Sequence, residues 1–279
     1  MKIGVRAHDI GGVLPAEALA QTAAAHGFDS VQLTLDDALE GFVYEPGCLQ
    51  KPLAERVSKA FAGAGVEIAV FSCYINPVHP DLIVRRAQID KFREFVRNAA
   101  AFGARIVATE TGSRNPDGSF TSWNHSEEAF SCFLESLREM VAEAERFGVT
   151  VCIEGVERFV IHDPQSLRQM LNSVSSPNLQ ILFDPVNLLS IENYTRREEI
   201  IAESLALFGD RIVVFHAKDF VVENGTFRRV PIGEGCMDFR PVLQYIWEHA
   251  PQSNVIVEEY WPEGAVQSAA WLREQYKLL

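Results

Sequence analysis

Four short runs in the second half of the chain end alike, in apolar residues followed by one residue able to hold a metal or move a proton. They are Val151-Cys152-Ile153-Glu154, Ile181-Leu182-Phe183-Asp184, Val213-Val214-Phe215-His216 and Val255-Ile256-Val257-Glu258. Short apolar runs of this kind read as buried parallel strands. The carboxyl ends of parallel strands lie along one edge of a sheet, which is where such folds keep their chemistry. Three carboxylates gathered there would repel one another unless a cation were present. An oxygen-rich set with one imidazole suits Mn²⁺, Mg²⁺ or Co²⁺, with Zn²⁺ also compatible. The parallel between the runs selects Glu258 over Glu259, because adjacent strand residues point to opposite faces; Glu259 stays open as the alternative ligand.

These residues sit within a recurring junction pattern, in which a helix closes on glycine and a strand starts within about three residues. It is seen at His26-Gly27, Ala64-Gly65, Phe102-Gly103, Phe147-Gly148 and Phe208-Gly209, and two further returns use Pro177 and Pro251. With the first strand, the reading is eight strands: Ile3–Ala7, Ser30–Leu33, Glu67–Phe71, Arg105–Ala108, Val151–Ile153, Leu179–Phe183, Ile212–Phe215 and Val255–Val257. Helical patterns occupy Pro15–His26, Leu82–Phe102, Glu127–Phe147, Pro164–Val174, Arg196–Phe208, Phe239–His249 and Gly264–Leu279. Strict βα alternation over this length predicts a (β/α)₈ TIM barrel. No linker or composition shift divides it, so the expectation is one domain over residues 1–279. An open doubly wound sheet would need a Gly-x-Gly-x-x-Gly turn after an early strand, and Gly11-Gly12 does not supply one. The longer strand-to-helix connections, 71–80, 109–125 and 218–238, all fall on the proposed active face.

At this point the chain resembles the sugar phosphate isomerase/epimerase family of xylose-isomerase-like TIM barrels, essentially end to end. The matching pieces are Ile153-Glu154-Gly155-Val156-Glu157-Arg158-Phe159, Phe183-Asp184-Pro185-Val186-Asn187, Phe215-His216-Ala217-Lys218-Asp219 and Val257-Glu258-Glu259-Tyr260. The resemblance implies that Glu154, Asp184, His216 and Glu258, closing the fifth to eighth strands, hold one divalent metal ion. Ketose 3-epimerases carry Asn-Arg-Phe-Glu after the fifth strand, whereas Glu157-Arg158-Phe159-Val160 lacks the second glutamate; they also have a histidine where this chain has Asn187. The resemblance to the DNA-repair endonuclease IV fails for want of extra histidines, since the third and fourth strands end in Ser72, Cys73 and Glu110.

The reading is a metal-dependent isomerase or epimerase of a small sugar, keto-sugar or sugar phosphate, working through an enediolate with Glu154 and Glu258 as the acid/base pair. Two alternatives stay open: a lyase resembling the inosose dehydratases, and a catalytically silent sugar-binding barrel subunit. Further substrate-binding candidates are Asn187, Lys218, Arg158, Glu110 and His8. Each has a plainer reading. Lys218 could pair with Asp219, Arg158 with Glu157 or Asp163, Asn187 could close a turn, and His8 could be satisfied in the core. Arg6 ends the first strand and could line the pocket. Gly233-Glu234-Gly235 could cradle a phosphate, and Tyr74, Trp123 and Trp261 could stack on a sugar ring.

Composition narrows the partners. With 25 basic against 38 acidic residues and a net charge of −13, no basic stripe invites nucleic acid. No apolar run approaches the ~20 residues of a spanning helix, and Met1-Lys2 leads straight into a strand with no room for a signal peptide. Five widely spaced cysteines without Cys-x-x-Cys argue against disulfides and zinc ribbons. The expectation is a cytoplasmic protein acting on a small carbohydrate, with no membrane partner, and compatible with a homo-oligomer.

Overall fold

The eight apolar runs pair side by side as parallel strands and close on themselves. In the computed structural model, which describes every residue except Glu259, the barrel strands are β1 (Lys2–Arg6), β2 (Ser30–Thr34), β3 (Glu67–Ser72), β4 (Ile106–Glu110), β5 (Thr150–Glu154), β6 (Leu179–Phe183), β7 (Ile212–Ala217) and β10 (Asn254–Val257). Two intervening strands, β8 (Asp219–Glu223) and β9 (Thr226–Val230), form a separate antiparallel hairpin. β1 pairs with both β2 and β10, which completes the ring. The helices are α1 (Ala7–Gly11), α2 (Ala16–Ala25), α3 (Leu35–Ala38), α4 (Lys51–Gly63), α5 (Leu82–Asn98), α6 (Glu127–Phe147), α7 (Pro164–Ser173), α8 (Arg197–Phe208), α9 (Arg240–His249) and α10 (Pro262–Lys277). This is the (β/α)₈ single-domain architecture expected from the alternation.

Local chemistry sets the ends of the helices. Asp81 accepts from the amides of Ile83 and Val84 at the start of α5, and Ser126 from that of Ala129 at the start of α6. Asp163 and Ser166 form a capping box on α7. Ile89, Phe92 and Val96 of α5, with Phe133, Leu137 and Met140 of α6, are buried in the shell between helices and barrel. Each such side chain contributes about 1.5–3 kcal/mol on burial.

The barrel's interior explains the site. Ala108, Cys152, Leu182, Val214 and Ile256 form a small inner cluster separate from the outer shell. Side chains two apart on a strand share a face. Glu110, Glu154, Asp184, His216 and Glu258 each follow one of these inner residues by two, so all are directed into the barrel at its carboxyl end. Gly4 belongs to the same interior, where a Cβ would collide with Ser30 and Ile256.

Three features depart from the sequence reading. The short α1 and α3 and the longer α4 are not among the expected helices, and α5 ends at Asn98 rather than Phe102. The connection 218–238 contains the β8–β9 hairpin, turned by Asn224 (φ 52°) and Gly225 (φ 73°). Asn-Gly between Val221-Val222 and Phe227 is the usual signal for such a two-residue turn.

Candidate metal centre and active site

The ends of β5, β6, β7 and β10 bring Glu154, Asp184, His216 and Glu258 together. All four are buried, and one donor atom from each lies within 4.8 Å of the others. His216 Nδ1 is 2.9 Å from Glu258, 3.3 Å from Glu154 and 3.8 Å from Asp184. Glu258 joins Glu154 in the cluster; Glu259, the alternative ligand, lies outside the described residues.

Each member is held by a different device. Asp184 Oδ1 accepts from the backbone amides of Val186 (2.8 Å) and Asn187 (3.1 Å), which leaves Oδ2 for the cluster. Asn187 Nδ2 donates to Glu154 at 2.7 Å. His216 Nε2 bonds Gln32 Oε1 of β2 at 2.6 Å, which turns Nδ1 toward the carboxylates. Lys218 is buried beside the set, with Nζ 2.8 Å from both Asp184 Oδ2 and Asn187 Oδ1 and a further bond to Glu258.

The electrostatics follow from this crowding. Burial opposes a charge on His216, but Glu258 and Glu154 outweigh it and raise the imidazole to about 10. Burial also lifts Asp184, to about 6 despite Lys218. Glu258 would be raised by burial, yet His216, Lys218 and Arg6 hold it well below the usual carboxylate range.

These residues fit a divalent cation. Asp184 Oδ2 and His216 Nδ1 are buried without a hydrogen-bond partner of good geometry. The donor atoms all lie within 4.8 Å of one another, close enough to converge on one ion. Lys218 offsets one of the three carboxylate charges, and the two that remain match a divalent ion.

A cavity of about 430 Å³ opens over this floor. Its lining includes Arg6, Tyr74, Glu110, Glu154, Asn187 and Glu258, together with the exposed Arg158 and the half-buried Phe227 and Arg229. Glu110 is raised to about 8 by burial and then by Glu154 and Glu258. Arg6 binds Asp9 through two 2.9 Å contacts and approaches Glu258 at 3.9 Å. Arg158 is exposed at the rim over Phe159 and makes no ion pair among the described residues, so the pairing with Glu157 or Asp163 does not form.

Other candidates take less direct places. Lys218 lies beside the floor rather than on the wall, and it pairs with Asp184 and Glu258 instead of Asp219. Asp219 accepts from the amides of Phe220, Gly233, Gly235 and Met237. With the amides of Gly233 and Gly235 committed to it, Gly233-Glu234-Gly235 is not a phosphate cradle. His8 sits on α1, off the cavity wall, with Nε2 3.6 Å from Asp9; burial and then Arg6 lower its pKa. Of the three aromatics, Tyr74 lines the cavity, while Trp123 stacks under Arg114 at 4.3 Å and Trp261 precedes α10. Gln32, Phe227 and Arg229 were not anticipated. An amide inside the apolar run Ser30-Val31-Gln32-Leu33 is the signal that could have found Gln32.

Known proteins share this framework. An L-ribulose-5-phosphate 3-epimerase of Escherichia coli is 24% identical over 254 residues, covering 90% of this chain and 84% of that protein. A probable L-ribulose-5-phosphate 3-epimerase of Mycoplasma pneumoniae matches at 23% over 154 residues, 54% of this chain, which spans only 48% of that protein. A solved D-tagatose 3-epimerase-like protein superposes with a TM-score of 0.77 at 20% identity, covering 100% of this chain and 98% of its own. A xylose isomerase-like TIM-barrel protein of Mycobacterium smegmatis, solved in complex with magnesium, superposes at 0.74 with 16% identity, covering 95% and 90%. Among the described residues no helix is long and apolar enough to cross a membrane, and the cysteines are free. The model of the xylose isomerase-like TIM barrel family matches residues 20–275, and the chain belongs to that family.

Proposed function

We propose that the protein is a divalent-metal-dependent epimerase of a phosphorylated ketose, working through an enediolate. The observation that carries this reading is the buried set of three carboxylates and one imidazole at the floor of a sugar-sized cavity. The epimerase names of the relatives support it, as does the magnesium in a structural neighbour.

Glu154, Asp184, His216 and Glu258 would hold the ion. When bound, a divalent cation supplies Lewis acidity toward a carbonyl and its neighbouring hydroxyl. Glu154 and Glu258 both line the cavity. One takes the proton from the carbon next to the carbonyl, and the other returns a proton to the opposite face. Asn187 and Lys218 keep these carboxylates oriented, and Glu110 on the wall faces a substrate hydroxyl. Arg158 and Arg229 at the rim would meet the phosphate.

The test is incubation of L-ribulose 5-phosphate with metal-loaded protein in D₂O. Deuterium should enter at the carbon that inverts, and turnover should follow bound Mn²⁺ or Mg²⁺ through cycles of chelation and refilling. Metal-independent exchange would defeat the reading, and loss of water in place of inversion would select the lyase. Since the ion binds only the folded protein, chelation should also lower stability, by about 2.7 kcal/mol relative to metal at 100 times its Kd. A melting curve unmoved by metal would count against the centre. Arg158→Ala should raise KM for the phosphorylated ketose about tenfold, leaving the unphosphorylated sugar unaffected. Equal losses on both substrates would remove Arg158 from phosphate recognition.

A further inference from the structure

Gln32 lies wholly buried in the barrel between two groups of different kinds. Its Oε1 is 2.6 Å from His216 Nε2, and its Nε2 donates to the Tyr74 hydroxyl at 2.8 Å. A carboxamide accepts at one end and donates at the other, so one contact dictates the other. His216 Nδ1 faces Glu258 and Glu154 at 2.9 and 3.3 Å. When Nδ1 gives its lone pair to a cation, Nε2 carries the ring's proton. Gln32 Oε1 then accepts from His216, and its amide donates to Tyr74. The phenol oxygen is then an acceptor in that bond, and its own proton is left for another partner. Among the described residues none accepts it, and Tyr74 lines the cavity beside Arg6, Glu110, Glu154 and Glu258. Burial, then Glu154, Glu258 and Glu110, keep the phenol protonated by raising its pKa well above the ordinary value.

We propose that Tyr74 donates a hydrogen bond to the substrate oxygen on which charge develops, and that Gln32 is the positioning residue that aims it from the metal-ligating imidazole. The proposal rests on the metal-dependent epimerase reading for the identity of that oxygen. Preorganised donors of this kind act mainly on the transition state, so their loss falls on kcat.

Three substitutions test it, with L-ribulose 5-phosphate and Mn²⁺ as the probes. Tyr74→Phe should lower kcat about 10²-fold, leaving KM and the calorimetric Mn²⁺ affinity within about twofold. Gln32→Leu should weaken Mn²⁺ about tenfold and shift the ¹⁵N resonance of His216 Nε2. In that background Tyr74→Phe should cost little more. Gln32→Glu, the closest in shape, keeps an acceptor for His216 but turns the second contact around, so that Tyr74 spends its proton on the new carboxylate. It should retain Mn²⁺ affinity and lose kcat as Tyr74→Phe does, which separates the relay from a folding defect. Wild-type kcat in Tyr74→Phe, or equal Tyr74→Phe losses with and without Gln32, would overturn the proposal. If the wild type does not epimerise the probe, the parent reading fails by itself. Unchanged Mn²⁺ affinity and ¹⁵N shift in Gln32→Leu would then overturn the relay, and their predicted changes would support it.

Discussion

Glu154→Gln and Glu258→Gln are each expected to lower turnover by roughly 10² to 10⁴ while metal stays bound. Glutamine keeps one oxygen, and Asn187 Nδ2 at 2.7 Å from Glu154 Oε1 gives the new amide a reason to present that oxygen in the same place. What disappears is the proton acceptor. A two-base epimerase stripped of one base can still exchange the substrate hydrogen from its intact side, so deuterium uptake should outlast inversion in one of the two variants. Asp184→Asn should differ. Asp184 uses Oδ1 on the amides of Val186 and Asn187 and turns Oδ2 to the cluster. Asparagine has one oxygen, so it must abandon either the turn or the ion, and metal should be lost before activity is measured at saturating metal. Full activity with metal bound in both glutamine variants would move the acid/base roles to Glu110 or Lys218.

The second large effect concerns Lys218, whose ammonium stands 2.8 Å from Asp184 Oδ2 and 2.8 Å from Asn187 Oδ1 and also bonds Glu258. Lys218→Met is expected to cost the metal-free protein about 3 kcal/mol in denaturant unfolding, because it strands two buried carboxylates beside a third. The same change removes the ammonium nearest Asp184 and Glu258 and leaves more negative charge for an added cation to offset. Mn²⁺ should therefore restore more stability to Lys218→Met than it adds to the wild type. A loss under about 1 kcal/mol would mean that the ammonium contributes no more than a surface pair. The built-in cation also tempers the cost of chelation, since with the ion removed the carboxylates face Lys218 as well as one another.

Much of the site was legible because it depends on two short-range regularities. Each of Glu154, Asp184, His216 and Glu258 ends an apolar run, and the inner-face residues Cys152, Leu182, Val214 and Ile256 stand two positions before them. Strand periodicity links such pairs without reference to the rest of the fold. The β8–β9 hairpin is legible on the same terms through Asn224-Gly225, although it lies within the long connection 218–238. α4 was legible on the same terms, since its buried Ala54, Val57 and Phe61 stand at i, i+3 and i+7 ahead of the Ala64-Gly65 closure.

The apolar period of each run, and with it the strand face that carries chemistry, is a local property readable along the chain. The contacts those residues make come from closure of the barrel. Gln32 meets His216 across 184 positions of chain, and Lys218 reaches Glu258 across 40. Closure of β1 onto β10 brings the first strands against the last, so Gln32 and Tyr74 from the first half stand beside ligands from the second. Residue type shows that a buried lysine or glutamine needs a partner. Which one it finds depends on distances set by closure of the whole ring, and no spacing along the chain contains them.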